Sequence, residues 1–317
     1  METRRERPPP SEPSGSPLIV VVGPTAAGKT ALAVRIAEEL GGEVVSADSQ
    51  QVYRRFDIGT GKPTLEERRG VPHHLLDVAD PHERFSAARF VELADAAIVD
   101  IRARGRRVVV AGGTGLYVRA LLRGLFEAPP ADPEIRERHQ KLWTRDPESL
   151  RQQLLAADPE AAARLHPRDL VRISRALEVF EQTGLPISEL QRRHGFAAPR
   201  YATAWVGLVP PRSVLRGRID SRVDVMLERG WLSEVRELLR EGHGETAPMG
   251  CLGYRHLRAH LLGSLDLAEA VRKTKRDTWR FARRQMTWFS TEAGIPWFAD
   301  GAKVQVSRLP ACRVTAS

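Results

Sequence analysis

The run from Leu18 to Thr30, LIVVVGPTAAGKT, constrains the fold more than any other stretch of the chain. Its five apolar residues, Leu18 to Val22, predict a buried strand, and a helical pattern continues from Ala31 to Leu40. Between them, Gly23 to Thr30 fits the pattern G-x-x-x-x-G-K-[ST]. In this context the glycines let backbone N–H groups turn toward a phosphate at the positive end of the helix. The sequence therefore predicts a phosphate-binding loop (P-loop) between a strand and a helix.

The expected phosphate contacts of this loop come from all eight of its residues. Lys29 adds a point charge, and the Thr30 hydroxyl can hold Mg²⁺. The predicted phosphate-binding residues are Gly23, Pro24, Thr25, Ala26, Ala27, Gly28, Lys29 and Thr30.

The charge of the chain points to a polyanionic partner. Its 317 residues include 49 lysines and arginines against 40 aspartates and glutamates, a net charge of +9, which favours nucleic acid. Positive charge is densest near the C-terminus, where Arg272, Arg276, Arg280 and Arg283 or Arg284 recur on one side of a predicted helix. Two cysteines cannot build a disulfide framework, which fits a reduced, cytoplasmic setting. No run approaches the ~20 apolar residues of a membrane span, and no signal peptide is evident.

Alternating strands and helices predict an α/β fold. We expect a P-loop NTPase-like parallel sheet core with helices on both faces, plus a helical insertion domain. Further strands are predicted at 43–48, 107–111 and 205–209, whereas 134–195 is almost entirely helical in pattern. The expected division is a disordered leader at 1–16, a P-loop core at 17–130 and 200–300, an insertion at 131–199 and a tail at 301–317.

Four residues outside the P-loop are candidates for catalysis. Asp48 ends a predicted strand, so it is either a general base, or a helix N-cap or second-shell magnesium acid. Thr114 follows Gly112-Gly113 and either completes a turn or directs its hydroxyl at a ligand. Arg218 and Arg222 are helical i, i+4 neighbours that are either solvated or placed to neutralise a leaving pyrophosphate.

A P-loop alone leaves kinases, motor NTPases, switch GTPases and other transferases open. The strand at 108–111 ends in Gly-Gly-Thr rather than in a Walker-B acid, so Asp48 is the one strand-end acid. The near-match to a guanine-reading motif, Thr274 to Asp277, lies within the basic helix and not after a strand. Both observations disfavour a motor NTPase or a GTPase.

Several motifs, in order, resemble those of the tRNA dimethylallyltransferases. They are GPTAAGKT at 23–30, SADSQQVY at 46–53, DIGTGKP at 57–63, PHHLLD at 72–77, GGTGLY at 112–117, RISRALEV at 172–179, GCLGYR at 250–255 and RQMTW at 284–288. The resemblance extends from about residue 18 to residue 298. It implies transfer of a dimethylallyl group from its diphosphate to N6 of the adenosine just 3′ of the anticodon, in tRNAs that read codons beginning with U.

The resemblance also implies roles for individual residues. The P-loop, Arg218 and Arg222 would hold the departing pyrophosphate, together with Mg²⁺ bound by Thr30 and Asp48. Asp48 would deprotonate the attacking amine, and Thr114 would help hold the acceptor or donor in line. The residues matching tRNA-contacting positions are Asp48, Ser49, Gln50, Gln51, Thr114, Arg136, Val171, Arg172, Ile173, Ser174, Arg175, Arg255, Arg276, Arg280, Arg283 and Arg284. The expected partners are therefore dimethylallyl diphosphate and a tRNA anticodon stem-loop, with the protein a monomer that does not bind membranes.

One departure and two alternatives accompany this resemblance. The segment 301–317 has one cysteine and no histidine, so it resembles the bacterial form that lacks a zinc finger. An adenylate isopentenyltransferase, which alkylates free AMP, ADP or ATP, would not need the basic insertion. An RNA-bound P-loop switch protein would keep the basic surfaces but transfer no prenyl group.

Overall fold

A computed structural model of the chain describes residues 16–196 and 199–309. All of the expected leader except Ser16, and residues 310–317 of the expected tail, lie outside this range. Six parallel strands form one sheet in the order β3-β2-β4-β1-β5-β6. Their bounds are β1 Leu18–Val22, β2 Gly42–Ser46, β3 His73–His74, β4 Arg107–Gly112, β5 Thr203–Leu208 and β6 Trp297–Phe298.

Thirteen α-helices occur within the described residues. They are α1 Lys29–Leu40, α2 Leu65–Arg68, α3 Ala87–Ala103, α4 Gly115–Arg123, α5 Pro133–Arg145, α6 Pro147–Ala157, α7 Pro159–Arg164, α8 Leu170–Thr183, α9 Ile187–His194, α10 Arg212–Glu228, α11 Trp231–Arg240, α12 Tyr254–Leu261 and α13 Leu267–Phe289. Short 3-10 helices lie at His243–Glu245, Pro248–Gly250, Gly301–Lys303 and Val306–Arg308.

The central strand β1 is buried on both faces. Leu18, Val20 and Val22 pack into one apolar cluster that includes residues of α3 and α4. Ile19 and Val21 point the other way, toward α1 and the segment after β6. This alternation follows from the two-residue period of a strand. Burial of each such side chain contributes about 1.5–3 kcal/mol, so the layered core fixes β1 and the loop that follows it.

The strand order places the candidate residues at one edge of the sheet. Strand β1 lies between β4 and β5, and the connection from β1 to β2 passes over β4. Val22 is aligned with Gly112, and Ser46 with Ala111, so β1, β4 and β2 end at the same level. Ligands of open α/β sheets bind where the chain reverses direction across the sheet, outside the carboxyl ends of the strands. The P-loop, Asp48 and Thr114 all follow strands that end there.

A third apolar cluster joins the later helices to the segment after β2. Val52 and Phe56 pack against residues of α11, α12 and the 3-10 turn at Pro248–Gly250. Phe56 and Tyr254 are fully buried, with ring centroids 4.9 Å apart. The loop after Asp48 is therefore fixed by helices that come much later in the chain.

Residues 123–199 form a second compact unit of five helices, α5 to α9. Three of these helices begin with the same Asp-Pro pair: Asp132, Asp146 and Asp158 each cap a helix whose first residue is proline. Such a carboxylate satisfies free amides of the first turn, and proline fits the first helical position. Leu150, Leu154 and Val179 form part of the apolar core of this unit.

The predicted parallel α/β core is confirmed. Four details differ from the sequence prediction. Strand β2 ends at Ser46, two residues before Asp48, and neither the short helix α2 nor the two-residue strand β6 was predicted. The helical unit starts at Arg123, earlier than the expected 131. Over the described residues, none of the helices has the length and apolar character that a membrane span requires.

Candidate active site

The P-loop presents unpaired backbone amides at the start of α1. Gly28 adopts φ +95°, and Ala26 also lies in the left-handed region at φ +63°. A side chain at Gly23 would stand 2.3 Å from the Leu208 carbonyl oxygen, which explains the glycine at that position. Within the described residues, the amides of Gly28, Lys29 and Thr30 donate to no protein acceptor. Free amides at a helix N-terminus make a binding site for an anion.

Lys29 lies in this loop in surroundings that disfavour its positive charge. Its ammonium donates to the Pro24 carbonyl at 2.7 Å. Burial lowers the pKa of Lys29 to about 8, an effect that Asp48 opposes and Arg222 reinforces. A bound phosphate would favour the charged form of Lys29, so the site is organised for an anion that the protein itself does not supply.

Asp48 lies in the turn that follows β2. Its Oδ1 atom accepts the Gln50 amide at 2.9 Å, while Oδ2 has no hydrogen-bond partner among the described residues. The charge of Asp48 raises the pKa of both Lys29 and Arg222, which shows that the carboxylate lies near both cations. One oxygen thus fixes the turn and the other remains available to a substrate.

Thr114 connects the end of β4 to the Asp48 turn. Its hydroxyl accepts the Ser49 amide at 3.0 Å and lies 3.3 Å from the Ser49 hydroxyl. Its own amide donates to the Ala47 carbonyl at 3.2 Å. A Cβ at Gly112 would collide with that same carbonyl, at 2.1 Å, so the two turns are closely packed. Thr114 therefore holds the residues on both sides of Asp48.

Arg218 and Arg222 lie on α10 and face the same cavity as Asp48. In the part of the chain that the structure describes, neither guanidinium has an acidic or carbonyl partner. Arg222 packs against Gly61, where a Cβ would stand 1.8 Å from its Nη2 atom. Burial lowers the pKa of Arg222, and the charge of Asp48 opposes that shift. Arg218 is more exposed. Both arginines are free to neutralise an anion held by the P-loop.

The loop at 57–61 forms another wall of the cavity, and its anchor was not predicted. The Glu234 carboxylate accepts the amides of Asp57 at 3.1 Å and Ile58 at 2.7 Å. Lys62, whose side chain is 5% exposed, forms ion pairs with Asp57 at 2.6 Å and Asp77 at 2.5 Å. Glu234 lies in α11, far along the chain, so no local sequence signal connects it to this loop.

Gln285 of α13 was also missed. It is 6% exposed and accepts the Thr25 amide of the P-loop at 2.8 Å while donating to the Gly113 carbonyl at 3.0 Å. Its place in the motif at 284–288 was the one sequence signal available.

These elements enclose one cavity of about 1450 Å³. The structure brings together here the P-loop, the Asp48 turn, the 57–61 loop and the α10 arginines. Cys251 also lines it; burial raises the pKa of its thiol to about 11, so the thiol is not a ready nucleophile. The predicted site residues lining the cavity are Thr25, Ala26, Gly28, Lys29, Thr30, Asp48, Ser49, Gln50, Gln51, Arg218, Arg222, Arg255 and Arg284.

The basic residues of α12 and α13 surround a single carboxylate. Arg255 at 2.6 Å, Arg276 at 3.1 Å and Arg280 at 3.4 Å all reach Asp277, and His256 lies 3.0 Å from it. Burial alone would raise the pKa of Asp277, but these hydrogen bonds hold it at about 2. Three guanidinium groups around one carboxylate leave an excess of positive charge.

Arg283 and Arg284 are exposed near the end of α13 and have no acidic partner among the described residues. The Arg284 guanidinium lies 5.7 Å from the centre of the Phe281 ring. Both side chains are therefore available to a phosphate.

The second unit uses some of its predicted RNA-binding residues internally. Glu178 is fully buried and pairs with Arg136 at 3.0 Å and Arg175 at 2.6 Å. Ile173 lies in the apolar core, and the buried Ser174 hydroxyl lies 3.0 Å from His139. The side chains of Ile173 and Ser174 are thus not available to an RNA. By contrast, Val171 is 79% exposed, and the Arg172 side chain is 64% exposed and pairs with Asp169 at 3.2 Å.

No group of three or more histidine, cysteine or acidic side chains gathers as a metal site within residues 16–196 and 199–309. Two oxygen atoms that line the cavity nevertheless suit Mg²⁺ as ligands. The Thr30 hydroxyl and Asp48 Oδ2 both lack a protein partner in this described range, and both residues line the cavity. Mg²⁺ is commonly held by a few protein oxygens together with the phosphates of a substrate.

A parallel sheet, a P-loop with free amides and a nearby carboxylate with one free oxygen define a P-loop protein that binds a phosphorylated substrate. The model of the IPP transferase family matches residues 51–292. The chain belongs to the IPP transferase family. The resemblance to tRNA dimethylallyltransferases is therefore confirmed.

The chain is similar in sequence and structure to proteins named as tRNA dimethylallyltransferases or tRNA isopentenylpyrophosphate transferases. A tRNA dimethylallyltransferase of Anaeromyxobacter dehalogenans is 53% identical over 89% of this chain and 94% of its own. Another of that name, from Myxococcus xanthus, is 50% identical over 89% and 92%. Among solved structures, the tRNA isopentenylpyrophosphate transferase of Bacillus halodurans is 40% identical over 90% of each chain, with a TM-score of 0.67. A eukaryotic dimethylallyltransferase acting on tRNA is 28% identical over 90% of this chain and 74% of its own, with a TM-score of 0.77.

Proposed function

We propose that the protein transfers a dimethylallyl group from dimethylallyl diphosphate to N6 of the adenosine 3′-adjacent to the anticodon, in tRNAs that read codons beginning with U. One observation carries the proposal: the free oxygen of Asp48 belongs to the same cavity as the free amides of the P-loop. A base for the acceptor and a cradle for the leaving group therefore share one site. The names of relatives that are about half identical support the same reaction.

The reaction forms one bond and breaks another. The N6 amine attacks C1 of the donor, the bond from C1 to the diphosphate oxygen breaks, and the amine proton passes to Asp48. Because the adenine lone pair is delocalised into the ring, much of the acceleration must come from positioning and from stabilisation of the leaving group. Lys29, Arg218 and Arg222 supply that positive charge, together with the P-loop amides.

Thr30 would hold Mg²⁺ beside the diphosphate, and the free oxygen of Asp48 is kept for the amine proton. When bound, the ion would neutralise part of the charge that builds on the leaving group. The chain's own residues would keep the remaining tasks: Thr114 and Ser49 hold the Asp48 turn, and Gln51 ties it to the 60–61 loop through a 3.1 Å bond to the Gly61 carbonyl.

The RNA would lie on the basic residues near the cavity and on the exposed start of α8. We assign the phosphate contacts to Arg255, Arg276, Arg280, Arg283 and Arg284, with Val171 and Arg172 as contacts of the second unit. Ser49, Gln50 and Gln51 lie beside Asp48, where a base removed from its stack would enter, at a cost of a few kcal/mol. We also propose that the protein acts in the cytoplasm, where it would meet its tRNA substrate.

A competition assay tests this proposal. Purified protein with Mg²⁺ and labelled dimethylallyl diphosphate is offered tRNA and AMP together, and the label is followed on both. We expect label on the tRNA alone. Label on AMP alone would establish the adenylate isopentenyltransferase alternative. No label on either acceptor, with hydrolysis of ATP or GTP in a parallel assay, would establish the switch protein.

A further inference from the structure

The amide of Gln285 joins the two halves of the cavity. Its Oε1 atom accepts the Thr25 amide of the P-loop, and its Nε2 atom donates to the Gly113 carbonyl beside Thr114. Both polar ends of a buried side chain are therefore used, each on a different loop. The P-loop belongs to the donor half of the site, whereas Thr114 holds the Asp48 turn of the acceptor half.

Two glycines mark how closely α13 approaches the second loop. A Cβ at Gly113 would stand 2.1 Å from Gln285 Nε2, and one at Gly115 would stand 2.0 Å from Trp288 Cδ1. Neither glycine has the left-handed backbone that disfavours other residues, so the glycine is explained by the approaching side chain. Gln285 and Trp288 are three residues apart and hence on one face of α13.

We propose that Gln285 is a positioning residue for the transfer, one that fixes the P-loop relative to the Asp48 turn. The inference rests on the proposed function. Because Gln285 takes the Thr25 amide, that amide is turned away from the anion, and the amides of Gly28, Lys29 and Thr30 remain for the diphosphate. Because Gln285 also holds the Gly113 carbonyl, it fixes the distance between the donor and the backbone that leads to Thr114.

Simple packing does not account for a glutamine at this position. An apolar side chain of similar length would fill the same volume without burying an amide, which is costly unless its atoms are paired. The distance that Gln285 fixes between the two loops matters, since a displacement of about 1 Å in a reacting group can cost about 100-fold in rate.

The first experiment separates rate from binding. Gln285→Met keeps the volume but removes both hydrogen bonds, and Thr287→Ala on an exposed turn of α13 is the matched control. We expect kcat to fall about 100-fold in Gln285→Met. The dissociation constants of inorganic pyrophosphate and of tRNA should each stay within about threefold, and the control should match the wild type. The proposal would be overturned if kcat, normalised to the number of sites that bind pyrophosphate, is unchanged and only the melting temperature falls.

Gln285→Asn covers the case in which the methionine variant does not fold. It keeps both polar atoms but is one methylene shorter, so it cannot reach both loops at once. We expect a smaller but clear loss of kcat, about tenfold. Wild-type turnover by this variant would show that the double contact is unnecessary.

A double-mutant cycle tests the pairing itself. Gly113→Ala places a methyl group where the Gln285 amide lies, and Gln285→Ala vacates that space. We expect Gly113→Ala to reduce kcat at least tenfold more in the wild-type background than in Gln285→Ala. Effects that simply multiply would overturn the proposal. Failure of the proposed function would show differently, as a wild-type protein that binds pyrophosphate and leaves tRNA unlabelled.

Discussion

The Tyr254 hydroxyl donates a 2.5 Å hydrogen bond to the Glu234 carboxylate, which also accepts backbone amides of the loop at 57–59. Burial, followed by the nearby charge of Glu234, raises the pKa of Tyr254 well above its usual value. Tyr254 therefore remains a donor at physiological pH. Two helices, α11 and α12, thus hold one wall of the cavity through a single carboxylate.

We expect Glu234→Gln to loosen this wall. The neutral amide loses the charge that strengthens the backbone contacts, and hydrogen bonds to a charged group contribute about 1.5–3 kcal/mol. The free energy of unfolding should fall by about that amount, measured by denaturant titration. Glu237→Gln, an exposed change on the same helix, is the control and should have no measurable effect. Equal stability of the two variants would contradict the anchoring role.

Asp48→Asn should abolish most turnover without weakening RNA binding. The variant keeps Oδ1 for the Gln50 amide, so the turn is preserved, but it can no longer accept a proton. Removing a general base costs about 100- to 10,000-fold in rate. Single-turnover kinetics and a tRNA binding titration check this prediction. A loss of tRNA affinity as large as the loss of rate would make Asp48 a binding residue instead.

The affinity for pyrophosphate should depend on pH through Lys29. Its pKa is about 8 in the free protein, so Lys29 is charged below that pH and neutral above it. An anion binds the charged form, and affinity is therefore lost as pH rises through 8. Between pH 7 and pH 9 we expect calorimetry to show a roughly tenfold weaker affinity. Lys29→Arg stays charged over this range, so it corrects for ionisation of pyrophosphate itself. Parallel pH profiles for both proteins would contradict the prediction.

The basic residues of α13 should give a salt-dependent contribution to RNA binding. Arg280→Ala removes one of the three arginines that contact Asp277, and we expect weaker binding of every tRNA tested. The slope of log K against log salt should flatten by about one. Arg106→Ala, near the opposite end of β4, is the control. An unchanged slope in Arg280→Ala would place α13 away from the RNA.

The sequence predicted the parts of this site that depend on local order. The strand, P-loop and helix from Leu18 to Leu40 follow one another directly, so their geometry is encoded within one segment. Asp48 was predicted because it lies at the end of a strand in a parallel sheet, and Thr114 because it follows Gly112-Gly113. Helix α2 was missed, although its capping box of Thr64 and Glu67 is a recognisable local signal.

The rest could not be predicted, because it depends on contacts between distant segments. Glu234 and Gln285 act on loops that lie early in the chain, and only the folded sheet brings them there. The two-residue strand β6 is too short to show a period. Arg136 and Arg175 look like surface charge in the sequence, since nothing local marks Glu178 as buried.

That buried carboxylate allows a test of which arginines of the second unit face RNA. Although burial would raise the pKa of Glu178, hydrogen bonds from Arg136 and Arg175 keep it below its usual value. Arg136→Met leaves one side of a fully buried charge without its partner and should cost about 1.5–3 kcal/mol of stability. Arg172→Met, at an exposed position on α8, should leave stability unchanged and weaken tRNA binding. Thermal unfolding and a tRNA titration on both variants provide the comparison. If Arg136→Met weakens tRNA binding at unchanged stability, its guanidinium serves the RNA and not Glu178.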